Sequence, residues 1–225
     1  MQKSQRMQKM QSPCYDIIMK LLLLSSSRGT TLQAVLDALK DGSLTMECLG
    51  LIADREDRGC VGKAREAGIP VRIVTKEKRE DREEYDRRLH QAILDMGGTP
   101  PAEYSSTRVL ETSTIIAALG WMFILSPWFV QMWHKRIVNV HPALLPKHPG
   151  GHAIEETLAA GDTESGMTIH YIDEGVDTGE ILVQKKCSIG PAETEESLKE
   201  KIQTLEKEWY PKVLQMIEDG EISLM

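Results

Sequence analysis

Four consecutive leucines, Leu21 to Leu24, end an apolar run that begins near Tyr15 and stops at a turn of small polar residues, Ser25-Ser26-Ser27-Arg28-Gly29. Directly after it, Leu32, Val35, Leu36 and Leu39 recur at helical spacing, so Thr31 to Lys40 reads as an amphipathic helix. A buried strand, a tight turn and a helix in succession make a β-loop-α opening. The pattern repeats with Cys48 to Ala53 as a strand, Gly59 to Ala67 as a helix closed by Gly68, Val71 to Val74 as a strand, and a charged helix from Glu80 to Met96. Strands alternating with helices predict a parallel sheet covered on both faces.

Beyond residue 96 the periodicity breaks. Gly97 to Arg108 contains Gly-Gly, Pro-Pro and Ser-Ser and reads as a loop. A strand at Thr114 to Leu119, a helix from Pro127 to His134 and a short β-type run, Arg136-Ile137-Val138-Asn139, follow it. A helix over Gly151 to Ala160, strands at Met167 to Ile172 and Glu180 to Ser188, and a closing helix over Glu193 to Glu218 complete the pattern.

With 225 residues, 41% of them hydrophobic, the chain has enough apolar content for a full core. Residues 1 to 14 read as a disordered leader. Residues 15 to 225 read as one domain of two halves, a phosphate-binding α/β half to 118 and a chemistry-bearing half from 119, sharing one sheet with a ligand cleft between them. The net charge of -7 argues against a sequence-independent grip on nucleic acid and for a small-molecule partner. The run Ile17 to Leu24 is interrupted by Lys20, and no segment is long enough to span a membrane, so a cytoplasmic placement is expected. Cys14, Cys48, Cys60 and Cys187 form no C-x-x-C pair and read as reduced structural thiols.

Two segments carry candidate chemistry. Asn139-Val140-His141-Pro142-Ala143-Leu144-Leu145-Pro146, with Asp177 in Glu174-Gly175-Val176-Asp177-Thr178-Gly179, offers an amide donor, an imidazole and a carboxylate, the groups acyl transfer needs. A purely structural role is the commoner fate of a lone histidine. Asn139 shifts the balance, because period-two geometry puts it on the same strand face as His141. The second segment is the turn before the first helix, where free N-H groups and the helix dipole favour a phosphate, although a plain Ser or Thr cap explains it equally well. His148 and His152 suggest a metal pair at helical spacing, but Pro149-Gly150-Gly151 denies them the helix, so no metal is expected.

Together with the Trp121-Met122-Phe123-Ile124-Leu125-Ser126-Pro127 loop, the Leu32-Gln33-Ala34 helix start and His170, these segments resemble the phosphoribosylglycinamide formyltransferase family from about residue 17 to the C-terminus. The resemblance implies a Rossmann-like formyltransferase fold, mostly parallel, with an antiparallel C-terminal extension of the sheet. It implies formyl transfer from 10-formyltetrahydrofolate to the amino group of glycinamide ribonucleotide, with Asn139, His141 and Asp177 as catalytic residues and no metal. By the same resemblance, Gly29, Thr30, Thr31, Gln203 and Glu206 hold the ribonucleotide. Arg82, Met122, Phe123, Ile124, Leu125 and Asn139 hold the folate, and His170 supports them from behind.

Asp177 is expected to raise the His141 pKa by favouring imidazolium. Read without the family, Glu206 is a solvated carboxylate on a charged helix. Where family members carry Gly-Ser-Asn the turn has Gly29-Thr30-Thr31, and Phe123 stands where Arg is common. The loop at Gly97 to Arg108 looks like an insertion relative to bacterial members, and a homodimer is left open. Competing readings are another 10-formyltetrahydrofolate-using transferase or hydrolase, and a catalytically silent module that binds phosphoribosyl ligands. Against these rivals the acidic chain offers no basic RNA-binding extension and no room for an N-terminal regulatory domain.

Overall fold

The computed structural model describes residues 19–101 and 114–224. The leader, Cys14, the first residues of the Tyr15 to Leu24 run and most of the Gly97 to Arg108 loop lie outside them. Five β-α steps, then two strands and a closing helix, give the order β1 (Lys20–Ser25), α1 (Thr30–Asp41), β2 (Glu47–Ala53), α2 (Gly59–Glu66), β3 (Val71–Ile73), α3 (Arg82–Asp95), β4 (Thr114–Ala118), α4 (Pro127–Met132), β5 (Ile137–His141), α5 (Ala153–Ala159), β6 (Glu164–Tyr171), β7 (Ile181–Ser188) and α6 (Glu195–Glu218). All strands join one seven-stranded sheet in the order β3-β2-β1-β4-β5-β6-β7. The first five are parallel neighbours, whereas β6 and β7 add on antiparallel to β5.

The four leucines of β1 explain the layering. Leu21 and Leu23 belong to one apolar cluster, shared with α1, α2 and α6, while Leu22 and Leu24 belong to the other, shared with α3 and α4. All four are fully buried, as a strand with helices on both faces requires. The strand order changes direction at β1 and β4, so the loops leaving their carboxyl ends diverge and open a crevice there.

Most element ends fall within a few residues of the sequence reading, with two informative differences. Strand β5 continues past Asn139 to His141, because Asn139 pairs with His170 and His141 with Thr168 across the antiparallel partner β6. Helix α6 starts at Glu195 rather than Glu193, because Thr194 caps it: its hydroxyl accepts from the Ser197 N-H, and the Ser197 hydroxyl accepts from the Thr194 N-H.

Helix α6 reaches across to β5 through Tyr210. That ring is fully buried, and its hydroxyl donates to the Val138 carbonyl at 2.7 Å, one residue before Asn139. Tyr210→Phe removes this buried hydrogen bond, and is expected to lower the unfolding free energy by about 1 kcal/mol in urea denaturation.

Candidate functional site

A cleft of about 1080 Å³ opens where the β1-α1 turn, the loop after β4 and the end of β5 meet, with α6 forming its far wall. At its floor Asn139 and His141 sit on one face of β5, as the period-two spacing requires, and Asp177 reaches them from the loop after β6. The three are linked through His170 on the neighbouring strand. The His170 Nδ1-H donates to the Tyr171 carbonyl at 2.8 Å, so its Nε2 accepts from Asn139 Nδ2 at 3.2 Å and fixes the orientation of the amide. The second hydrogen on Asn139 Nδ2 is left for another acceptor.

His141 is 3% exposed, and both of its ring nitrogens face acceptors. Nε2 lies 2.7 Å from the His148 carbonyl, which can only accept, so Nε2 carries a hydrogen. Nδ1 lies 3.2 Å from Asp177 Oδ2, which also accepts from the Gly150 N-H at 2.7 Å. The other carboxylate oxygen, Oδ1, is 3.5 Å from His170 Nε2. Asp177 itself stands at φ 55, a conformation its short polar side chain tolerates better than most.

Burial corrects the expectation about the His141 pKa. Taking the ring out of water pushes it below its ordinary value, outweighing the upward pull of the Asp177 charge and of the His148 carbonyl. The Asp177 carboxyl is pushed up by its own burial, yet its contacts with His170, the Gly150 N-H and His141 hold it below the usual carboxylate range. The resting pair is therefore a neutral imidazole facing a carboxylate. Two lone pairs confront each other across 3.2 Å, an arrangement that an added proton relieves.

At the other end of the cleft, α1 begins without a side-chain cap and without an acidic residue in its first turn. The hydroxyls of Ser25 and Ser27 are spent on the Leu119 carbonyl, at 2.7 and 3.2 Å, so the first N-H groups of α1 keep their positive field for a ligand. Gly29 is buried at φ 77, and a Cβ there would stand 3.0 Å from the Cys60 backbone, so only glycine fits. Thr30, Thr31 and Arg28 line the cleft.

The Thr31 hydroxyl donates to Glu206 at 2.8 Å and is thereby occupied. Glu206 is no solvated carboxylate: it is 8% exposed, with a pKa raised to about 7 by burial despite the hydrogen bond from Thr31. Its place in the stripe Leu198, Ile202, Glu206, Tyr210, Val213 carries the signal that was available in the sequence. Gln203 lies one turn away on the same wall.

The Met122 to Leu125 loop lines a third side. Met122 and Ile124 are 70% and 56% exposed, whereas Leu125 is buried. Phe123 turns its ring into an aromatic group, 5.1 Å from Trp121 and 5.6 Å from Tyr85, so this position contributes apolar area and backbone rather than charge. Arg82 is exposed in the first turn of α3 and is not among the residues that line the cleft. The buried stripe of α3 starts only at Tyr85, and the turn before it projects past the packed core.

Among the described residues no group of three His, Cys, Asp or Glu is placed to hold a metal. His148 is held by Asp162, and His152 is exposed beside Glu155. Cys48, Cys60 and Cys187 are free thiols, and no helix among the described residues is long and apolar enough to cross a membrane.

Comparison with known proteins agrees with this geometry. Residues 19–214 match the family described as formyl transferase. The phosphoribosylglycinamide formyltransferase of Escherichia coli (strain K12) is 31% identical over 92% of this chain and 90% of that protein. The trifunctional purine biosynthetic protein adenosine-3 of Drosophila pseudoobscura pseudoobscura is 36% identical over 90% of this chain, which spans only 14% of the insect protein. The crystal structure of glycinamide ribonucleotide transformylase 1 from Symbiobacterium toebii has a TM-score of 0.82, with 26% identity over 92% of this chain and 90% of that one. Phosphoribosylglycinamide formyltransferase from Coxiella burnetii has a TM-score of 0.79, with 32% identity over 90% and 88%.

The raised Glu206 pKa makes a signed prediction. In the unfolded chain this carboxyl ionises near its ordinary 4.5, and in the folded chain only near 7, so ionisation opposes folding. Stability is intact below the unfolded value and is lost as pH rises through the folded one. Glu206→Gln removes that cost and is expected to be more stable than the parent at pH 8 by on the order of 2–3 kcal/mol in urea unfolding. The advantage is expected to vanish below about pH 4.5.

Proposed function

The chain belongs to the formyl transferase family, and from that premise we propose that it transfers a formyl group from 10-formyltetrahydrofolate to the amino group of glycinamide ribonucleotide, a step of purine biosynthesis. The observation that carries the reading is the span of one cleft, which has an uncapped helix start at one end and Asn139, His141 and Asp177 together at the other. One end suits a phosphate and the other suits acyl transfer, so a phosphorylated amine bound at the first presents its nucleophile to the second.

The phosphate lies against the Thr30, Thr31 and Leu32 N-H groups, with Arg28 adding charge. Gln203 and Glu206 face the sugar, and Glu206 reaches it while bonded to Thr31. The donor lies along Met122 to Leu125, where exposed apolar side chains and free loop backbone suit a planar heterocycle. In this reading Arg82 makes no contact with it. His170 acts through Asn139, which it orients.

Attack of the neutral amine on the formyl carbon places negative charge on the formyl oxygen and positive charge on the nitrogen. The remaining Asn139 Nδ2 hydrogen meets the oxyanion, a preorganised donor of a kind worth about 3–4 kcal/mol. The nitrogen must lose a proton. The Nδ1-Oδ2 gap of the His141 and Asp177 pair receives it, since the proton ends the confrontation of lone pairs there. Asp177, the more exposed partner, exchanges it with the cleft, and His141 stabilises it from behind. The same proton returns to N10 of the donor as the carbon-nitrogen bond breaks, so the pair ends as it began.

Asp177→Asn fills the gap with an amide hydrogen, and is expected to lower kcat by about 10²–10⁴ with the KM for glycinamide ribonucleotide nearly unchanged. Because the two residues hold one proton between them, Asp177→Asn combined with His141→Ala is expected to cost little more than either alone. Steady-state kinetics of the three variants decide this, and wild-type turnover in either single variant would refute the assigned roles.

A further inference from the structure

The proton gap exists only because His141 keeps its hydrogen on Nε2. A neutral imidazole is free to hold its hydrogen on either nitrogen, and with Asp177 beside Nδ1 the other tautomer would donate to the carboxylate and close the gap. What opposes that tautomer is the His148 carbonyl, 2.7 Å from Nε2. This carbonyl belongs to a loop whose conformation is costly. His148 stands at φ 52 immediately before Pro149, in a backbone region that a non-glycine residue occupies only when its surroundings hold it there.

The holding contact comes from outside the cleft. His148 Nε2 meets Asp162 Oδ2 at 2.8 Å, and Asp162 sits in the turn between α5 and β6. Its other oxygen accepts from Lys147 at 2.9 Å, and the hydrogen bonds from His148 and Lys147 hold its carboxyl below the usual range. On the far side, Gly150 is tied to Asp177. The segment from 147 to 150 is thus fastened at both ends, with the His148 carbonyl between the fastenings.

We propose that His148 and Asp162 are positioning residues for formyl transfer: through the His148 side chain, Asp162 holds the His148 carbonyl against His141 and so keeps the imidazole in its Nε2-H tautomer. The assignment rests on the reading of His141 and Asp177 as the proton-accepting pair, but its first readout needs no substrate. Neither residue touches the ligand; both act through the His141 ring.

The test is ¹⁵N NMR of the histidine ring nitrogens in the intact protein, paired with turnover. In the parent, His141 shows a protonated Nε2 and an unprotonated Nδ1 at neutral pH. In Asp162→Ala the hydrogen moves to Nδ1 in a substantial fraction of molecules, and kcat falls about tenfold while both KM values stay within a factor of about two. Asp162→Asn keeps an oxygen that accepts from His148 and restores both the tautomer and most of kcat. Lys147→Met, which removes only the exposed pair to Asp162, leaves the His141 signals as in the parent.

The proposal is overturned if His141 keeps its parental signals in Asp162→Ala, if Asp162→Asn behaves no better than Asp162→Ala, or if Lys147→Met shifts the ring equally. Should Asp162→Ala fail to fold, His148→Phe tests the same link, since it keeps the carbonyl and removes the bond to Asp162. An unmoved His141 tautomer in that variant overturns the proposal as well. A parent with the Nε2-H tautomer but no formyl transfer contradicts the functional reading alone.

Discussion

Strand β5 is hydrogen-bonded along both edges, parallel to β4 on one side and antiparallel to β6 on the other, and this double pairing fixes the site. It sets Asn139 opposite His170 and His141 opposite Thr168, so two chemically active side chains stand on one face with their neighbours already chosen. The switch from parallel to antiparallel pairing also brings the loop after β6 back toward the end of β5, which delivers Asp177. Tyr210 then ties α6 to the same strand, so the wall that carries Gln203 and Glu206 keeps its distance from the floor. A rigid strand end, rather than a loop, carries the residues whose placement matters most.

Within that frame electrostatics divide the cleft into two environments. The α1 end is positive through backbone N-H groups left without a side-chain cap. The β5 end is buried and tuned so that His141 is uncharged while Asp177 is ionised. A neutral base beside a carboxylate attracts a proton from an amine that becomes cationic on attack, whereas an imidazolium there would have no vacancy. Burial thus does more for the chemistry than the attraction between the two residues, which alone would have charged the ring.

The sequence pattern made the layers legible because β1 is leucine at its four central positions and α1 keeps a clean period. It also marked Asn139, His141 and Asp177, since two lie at strand spacing and the third in a compact glycine-rich loop. It misjudged interactions that depend on distant partners. The charge state of His141 follows from its burial, which the motif does not encode. Glu206 was readable from its position in the stripe of α6, and was obscured by the surrounding lysines and glutamates. The His148 carbonyl had no signal at all, because a backbone oxygen has no letter in the sequence.

Transfer of labelled carbon is the most direct measurement. The protein is given 10-formyltetrahydrofolate carrying ¹³C in the formyl group, together with glycinamide ribonucleotide, and the products are followed by NMR. The expected result is label on the glycinamide nitrogen in step with release of tetrahydrofolate, and none as formate. Label appearing as free formate, or no release that depends on the ribonucleotide, would contradict transfer to a bound amine at Asn139, His141 and Asp177.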